Sequence, residues 1–84
     1  MTENETITVF TTSWCGPCRR LKTLMQAEEI PFTAVDIETD PEAEEFVKQV
    51  NRGNAVVPTL LFPDGTTLTN PSLAQVRAQL AAAG

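Results

Sequence analysis

The sequence has no histidine and only two cysteines among its 84 residues. A structural zinc site takes four ligands, so this chain cannot build one alone. A cluster shared between two chains, with external thiols completing the ligation, is the metal arrangement left open. No run approaches the ~18 apolar residues of a membrane span. The acidic N-terminus has no basic segment leading into an apolar core, as a signal peptide would require. A soluble, cytoplasmic protein is therefore expected, in a compartment that keeps thiols reduced and where disulfides are usually transient and catalytic. Six basic residues stand against eleven acids, for a net charge of −5. Nucleic acid is not an expected partner, since it demands clustered Lys and Arg.

What is present suits one compact domain spanning residues 1–84. Apolar residues make up 42% and charged residues 20%, close to the globular average. Disorder is expected only at Met1–Glu5 and in the Ala81–Gly84 tail, which lack periodic apolar residues. Charge is unevenly placed. Residues 28–45 carry eight acids and no base, whereas Arg19, Arg20 and Lys22 directly follow the cysteines. The acidic stretch reads as a solvated face, and the basic one as a local positive field that favours a thiolate and attracts acidic partners.

Ile7-Thr8-Val9-Phe10-Thr11 is short and β-branched, and predicts a strand. Pro17 suits a first helical turn, where its missing N–H is not needed. Cys18, Leu21 and Met25, with Leu24 alongside, give that helix an apolar face, and Pro31 marks its break. Phe32–Ile37 reads as a second strand. Asp40-Pro41 opens a second helix as N-cap and first position, with Ala43, Phe46, Val47 and Val50 as its buried stripe. Gly53 is the expected left-handed residue at its end. Val56–Phe62 reads as a strand, Pro63-Asp64-Gly65 as a turn, and Thr66–Thr69 as the returning strand of a hairpin. Asn70-Pro71 starts the last helix, with Leu73, Val76 and Leu80 apolar. The order β-α-β-α-β-β-α predicts an α/β thioredoxin fold: a four-stranded mixed sheet with helices on both faces.

"SWCGPCRR" carries the chemistry. A thiolate, not a thiol, attacks a disulfide, so a catalytic cysteine needs a lowered pKa. Cys15 at the start of a helix meets unpaired backbone N–H groups and the positive end of the helix dipole. Cys18 follows one turn later on nearly the same side and begins the apolar stripe, so it is the less exposed of the pair. Cys15 is the expected nucleophile and Cys18 the resolving thiol. A purely structural staple is a poor alternative, because so short a loop removes little chain entropy. Trp14 reads as an exposed rim beside the nucleophile. Asp36 reads as a solvated strand end, with proton transfer as its alternative role. Pro58 belongs at a strand start or in a tight turn, and composition alone favours a trans bond before it.

"WCGPC" followed about forty residues later by "VVPT" resembles the thioredoxin-fold redoxins. The resemblance implies that the Val57–Pro58 bond is cis and lies beside Cys15. It also implies that the Val57 backbone pairs with the incoming thiol substrate in β fashion. The short N-terminus and element order look like the glutaredoxin branch. Two glutaredoxin marks are absent, Pro-Tyr between the cysteines and Gly-Gly-x-Asp before the last helix, which makes glutathione the less favoured partner. Through "TTSWC", "VDIE", "EFV--VN-GN--VPT" and "DGTTLTNPS" the chain is similar over nearly its whole length to the mycoredoxins, glutaredoxin-like proteins of actinobacteria that use mycothiol. Gly16-Pro17 departs from their usual dipeptide.

The resemblance implies a thiol–disulfide oxidoreductase that reduces mycothiol–protein mixed disulfides, and protein disulfides too. It implies no bound cofactor or metal, with mycothiol as the electron-donating cosubstrate and a flavoprotein reductase supplying the electrons to mycothiol. The expected substrate groove comprises Trp14, Gly16, Pro17, Val57, Pro58, Asn70 and Ser72, the last two because a helix N-terminus offers free N–H donors. A monomer is expected. The rival is a thioredoxin-like or ribonucleotide-reductase-type dithiol carrier reduced by thioredoxin reductase, favoured by Gly16-Pro17. A non-enzymatic binding module or sensor is the alternative from another class.

Overall fold

The computed structural model describes residues 6–83, so the disorder expected at Met1–Glu5 lies outside the described residues. The elements run β1 (Ile7–Thr11), α1 (Gly16–Ala27), β2 (Phe32–Asp36), α2 (Pro41–Val50), β3 (Thr59–Leu61), β4 (Thr67–Thr69) and α3 (Leu73–Ala83). The four strands form one sheet in the order β2-β1-β3-β4. β1 and β2 are parallel, while β3 is antiparallel to both β1 and β4. This is the α/β thioredoxin-like arrangement expected from the element order.

Alternation along the central strand divides the core between the two faces of the sheet. Ile7 and Val9 pack with Leu60, Phe62, Leu21 and Met25 of α1 and Val76 of α3. Phe10, pointing the other way, packs with Ile37 and with Ala43 and Val47 of α2. Its ring lies 5.3 Å from that of Phe46. Each fully buried aliphatic or aromatic side chain here contributes about 1.5–3 kcal/mol over an exposed one. Two expected stripe residues lie outside these cores: Leu24 and Val50 are exposed, near the edges of their helix faces.

Several boundaries differ from expectation for local reasons. β3 begins only at Thr59, because Pro58 has no N–H for the ladder and the Val56 N–H turns back to the Asn54 carbonyl at 3.0 Å. β2 ends one residue early, yet the Ile37 N–H still reaches the Thr11 carbonyl at 3.0 Å. β4 starts at Thr67, since the Thr66 carbonyl closes the hairpin turn by accepting the Phe62 N–H at 2.8 Å. α1 stops at Ala27, four residues before Pro31, with Glu29 in the left-handed region at φ 59°. Gly53 is left-handed as expected (φ 91°), and Arg52 before it is too (φ 59°). The last helix starts at Leu73 rather than Asn70, whose φ of 50° is incompatible with a helix start. Ala81 and Ala82, expected in a disordered tail, continue α3.

Candidate active site

The site is built where β1 runs into α1. Cys15 is the N-cap of α1, with extended backbone (φ −84°, ψ 110°) and Pro17 in the first turn. The Cys18 N–H donates to Cys15 Sγ across 3.1 Å. The two cysteines are joined as a disulfide, with Cα atoms 5.3 Å apart. Cys15 is 4% exposed and Cys18 fully covered. A sulfur held at a helix N-cap against a backbone N–H is favoured as an anion, the condition for attack on a disulfide.

The Val57–Pro58 peptide bond is cis. The Val57 carbonyl oxygen lies 3.8 Å from Cys15 Sγ, although 42 residues separate the two in the chain. The Pro58 carbonyl accepts the Asn70 N–H at 2.7 Å, which ties the segment before β3 to the segment before α3. A groove of about 220 Å³ follows, lined by Pro17, Arg20, Leu21, Leu24, Asn70, Pro71, Ser72 and Leu73. Gly16 opens instead on a neighbouring hollow along the exposed face of α1, with Arg19, Arg20, Thr23 and Leu24. Of the expected groove residues, Pro17, Asn70 and Ser72 share this groove, Gly16 lies in the neighbouring hollow, and the Val57 carbonyl is the one beside Cys15.

Ser72 does not offer the free donors expected of it. Its N–H donates to Gln75 Oε1 at 2.8 Å, and its hydroxyl accepts the Gln75 N–H at 3.2 Å. This reciprocal capping box leaves the next amides of α3, not that of Ser72, without an intrahelical partner. Arg19 and Arg20 are exposed, and among the described residues no ion pair joins them to a carboxylate. One Arg19 guanidinium nitrogen approaches the Ser13 carbonyl at 3.5 Å.

Trp14 is 70% exposed, as a rim residue should be, but it is held by a residue absent from the sequence-based site. Its Nε1–H donates to Glu38 Oε2 at 2.6 Å, and the Ser13 hydroxyl donates to Glu38 Oε1 at 3.1 Å. The Trp14 hydrogen bond, followed by those from Ser13, holds the Glu38 carboxyl below the usual glutamate range. Glu38 sits inside an acidic run, where no composition signal singles it out. The strand register is the signal that could have found it. Ile7 faces Phe32 and Thr11 faces Asp36, an offset of 25 that Ser13 and Glu38 keep beyond the strand ends. Asp36 takes the Glu38 N–H on its Oδ1 at 2.8 Å, so its carboxylate shapes the turn after β2.

The glutaredoxin family model matches residues 7–66. The chain belongs to the glutaredoxin family. It is 55% identical over 74 residues to a glutaredoxin-type protein of Mycobacterium tuberculosis, covering 88% of each chain. It is 42% identical over 76 residues to Mycoredoxin 1 of Corynebacterium glutamicum, covering 90% of this chain and 94% of that one. The crystal structure of the thioredoxin-like protein BC3987 superposes with a TM-score of 0.74 over 87% of this chain and 97% of that one. At 19% identity it shows the shared fold alone. This glutaredoxin is a thiol–disulfide oxidoreductase of glutaredoxin or mycoredoxin type, carrying a Cys15–Cys18 pair. No helix among the described residues is long and apolar enough to cross a membrane. Among the same residues, no group of three or more His, Cys, Asp or Glu could hold a metal ion.

Proposed function

We propose that this glutaredoxin reduces mixed disulfides between mycothiol and proteins in the cytoplasm, with Cys15 as nucleophile. The observation that carries the reading is the Cys15 sulfur at the α1 N-cap, receiving the Cys18 N–H at 3.1 Å beside the Val57 carbonyl. The likeness to Mycoredoxin 1 over 90% of the chain supports mycothiol as the thiol.

In the first step the Cys15 thiolate attacks the mycothiol sulfur of the mixed disulfide. A Cys15–mycothiol disulfide forms, and the protein thiolate leaves and takes up a proton. A second mycothiol thiolate then attacks the mycothiol sulfur, releasing oxidised mycothiol and the Cys15 thiolate. Alternatively the Cys18 thiolate attacks Cys15, releasing mycothiol and closing the Cys15–Cys18 disulfide. Two electrons from mycothiol, maintained by its flavoprotein reductase, reopen that disulfide. Pro17, Asn70 and Ser72 line the groove for the thiol's non-reacting part, and Val57 offers its backbone next to the exchanging sulfurs.

A second reading, a thioredoxin-like dithiol carrier reduced by a flavoprotein, is favoured by Gly16-Pro17. A reduction assay on a mycothiolated peptide separates the two. Mycothiol with its reductase, glutathione with its reductase and thioredoxin reductase are compared as electron sources. The first is expected to give the fastest turnover, and Cys18→Ser to retain it. Equal rates with all three sources would leave only a general dithiol reductase, and loss of all turnover in Cys18→Ser would end the monothiol route.

A further inference from the structure

Trp14 is an exposed indole directly before the exchanging sulfur, and its ring nitrogen is not left to solvent. Glu38 accepts the indole N–H at 2.6 Å with one oxygen and the Ser13 hydroxyl at 3.1 Å with the other. The Ser13 N–H points at the same oxygen from 3.5 Å. Glu38 is itself pinned, its own N–H held by Asp36 Oδ1 at 2.8 Å. Behind it the Ile37 N–H is fixed on the Thr11 carbonyl at 3.0 Å. The turn after β2 therefore clasps the loop that delivers Cys15 to the N-cap of α1.

We propose that Glu38 is a positioning residue, which holds Trp14 and Ser13 in place so that Trp14 forms a preset platform for the disulfide-bearing segment attacked by Cys15. An exposed tryptophan free to rotate would lose side-chain freedom each time a partner settled on it, and fixing it beforehand removes that loss. Exposed hydrogen bonds add little to global stability, so the clasp acts on binding rather than on the fold. The two-oxygen arrangement also explains why a side chain with a forked polar end stands here. A glutamine retains one carbonyl acceptor for the indole and can donate its amide to the Ser13 hydroxyl, whereas an alanine offers nothing.

The inference rests on the proposed role of Cys15 as the attacking sulfur, and it is tested with readouts of both kinds. Glu38→Gln, Glu38→Ala, Trp14→Phe and the Glu38→Ala/Trp14→Phe double variant are compared in the full chain. Insulin serves as the disulfide probe and dithiothreitol regenerates the dithiol. Glu38→Ala is expected to raise the KM for insulin about fivefold, the effect of losing one ordinary hydrogen bond, with kcat changed less than about twofold. Glu38→Gln restores the KM, and in the Trp14→Phe background Glu38→Ala adds nothing further.

Trp14 is the sole tryptophan, so its emission anisotropy reads the clasp directly. It falls in Glu38→Ala and is kept in Glu38→Gln. Wild-type anisotropy in Glu38→Ala, or an equal KM rise with and without Trp14, would overturn the proposal. Should Glu38→Ala fail to fold, acid titration of the wild-type emission decides. The transition belongs to Glu38 if it disappears in Glu38→Gln. If it persists there, the transition has another origin, with Asp36 and Asp40 on the adjoining turn and Arg19 beside Ser13 the neighbouring charged groups, and the proposal fails. Failure of the wild type to reduce insulin would count against the dithiol route on protein disulfides alone, since anisotropy and titration judge Glu38 without turnover.

Discussion

The backbone N–H of Cys18 is aimed at the sulfur of Cys15 across 3.1 Å. In the proposed exchange, the resolving Cys18 thus also contributes, through its main chain, to stabilising charge on the attacking Cys15. The two thiols become unequal although they share a turn of helix. Cys15 retains 4% exposure at the helix end while Cys18 has none.

In the reduced protein, iodoacetamide is therefore expected to alkylate Cys15 before Cys18. A clear preference is expected at neutral pH, because Cys18 is fully covered while Cys15 keeps some exposure at the helix end. Peptide mapping by mass spectrometry after brief labelling checks this. Equal labelling of the two sites would remove the basis for assigning separate roles.

Asn51 closes α2 and reaches both strands of the hairpin. Its amide nitrogen donates to the Val47 carbonyl at 2.8 Å and to the Thr59 hydroxyl at 3.1 Å, and its carbonyl oxygen accepts from Thr69 at 2.7 Å. Asn51→Asp keeps the shape but replaces the donor with an acceptor facing the Val47 carbonyl. A loss of about 1–3 kcal/mol is expected, read as a lower urea midpoint with unchanged slope. An unchanged midpoint would show that the bridge contributes nothing.

The Asp64 carboxylate closes the hairpin turn by accepting the Thr66 N–H at 3.0 Å. That backbone bond, the foremost cause, holds its pKa below the usual aspartate range. The folded state favours the charged form, so the stabilisation is complete above the unfolded pKa and disappears as pH falls through the depressed folded value. Asp64→Ala should lower the Tm at neutral pH, and the deficit should close in acid. A deficit independent of pH would point to turn geometry rather than to charge.

The Thr12 hydroxyl is buried with no hydrogen-bond partner among the described residues, three residues before Cys15. Thr12→Val replaces it with a methyl group of similar shape. The expected change runs from neutral to about 1 kcal/mol of added stability, measured by urea unfolding of the oxidised protein. A marked loss of stability would show that the hydroxyl has a partner in solution.

Local chemistry made much of this legible before the fold was seen. Pro17 and Cys15 announce a helix start, Asp40-Pro41 another, and Pro63-Asp64-Gly65 a hairpin turn. The misplaced boundaries have a common origin. Val56–Phe62 looks like one continuous strand, but whether it pairs depends on what Pro58 faces. Asn70-Pro71 looks like a helix start, but Ser72 and Gln75 form the actual cap. Asn51 and Glu38 stayed hidden for a different reason. Their partners lie on other elements, and a single polar side chain gives no periodic signal.

By itself, the order of residues determined the element succession, the apolar faces of the three helices and the placement of Cys15 at a helix start. Those follow from backbone sterics and from periods of 2 and 3.6, which act over a few neighbouring residues. Only the tertiary structure decided what surrounds the sulfur. Parallel pairing of β1 with β2 carries Glu38 to Trp14 across 24 residues. The segment leading into β3 brings the Val57 carbonyl to Cys15 across 42. Strand register is set by packing of the whole sheet, and that packing converts a cysteine pair into a shaped site.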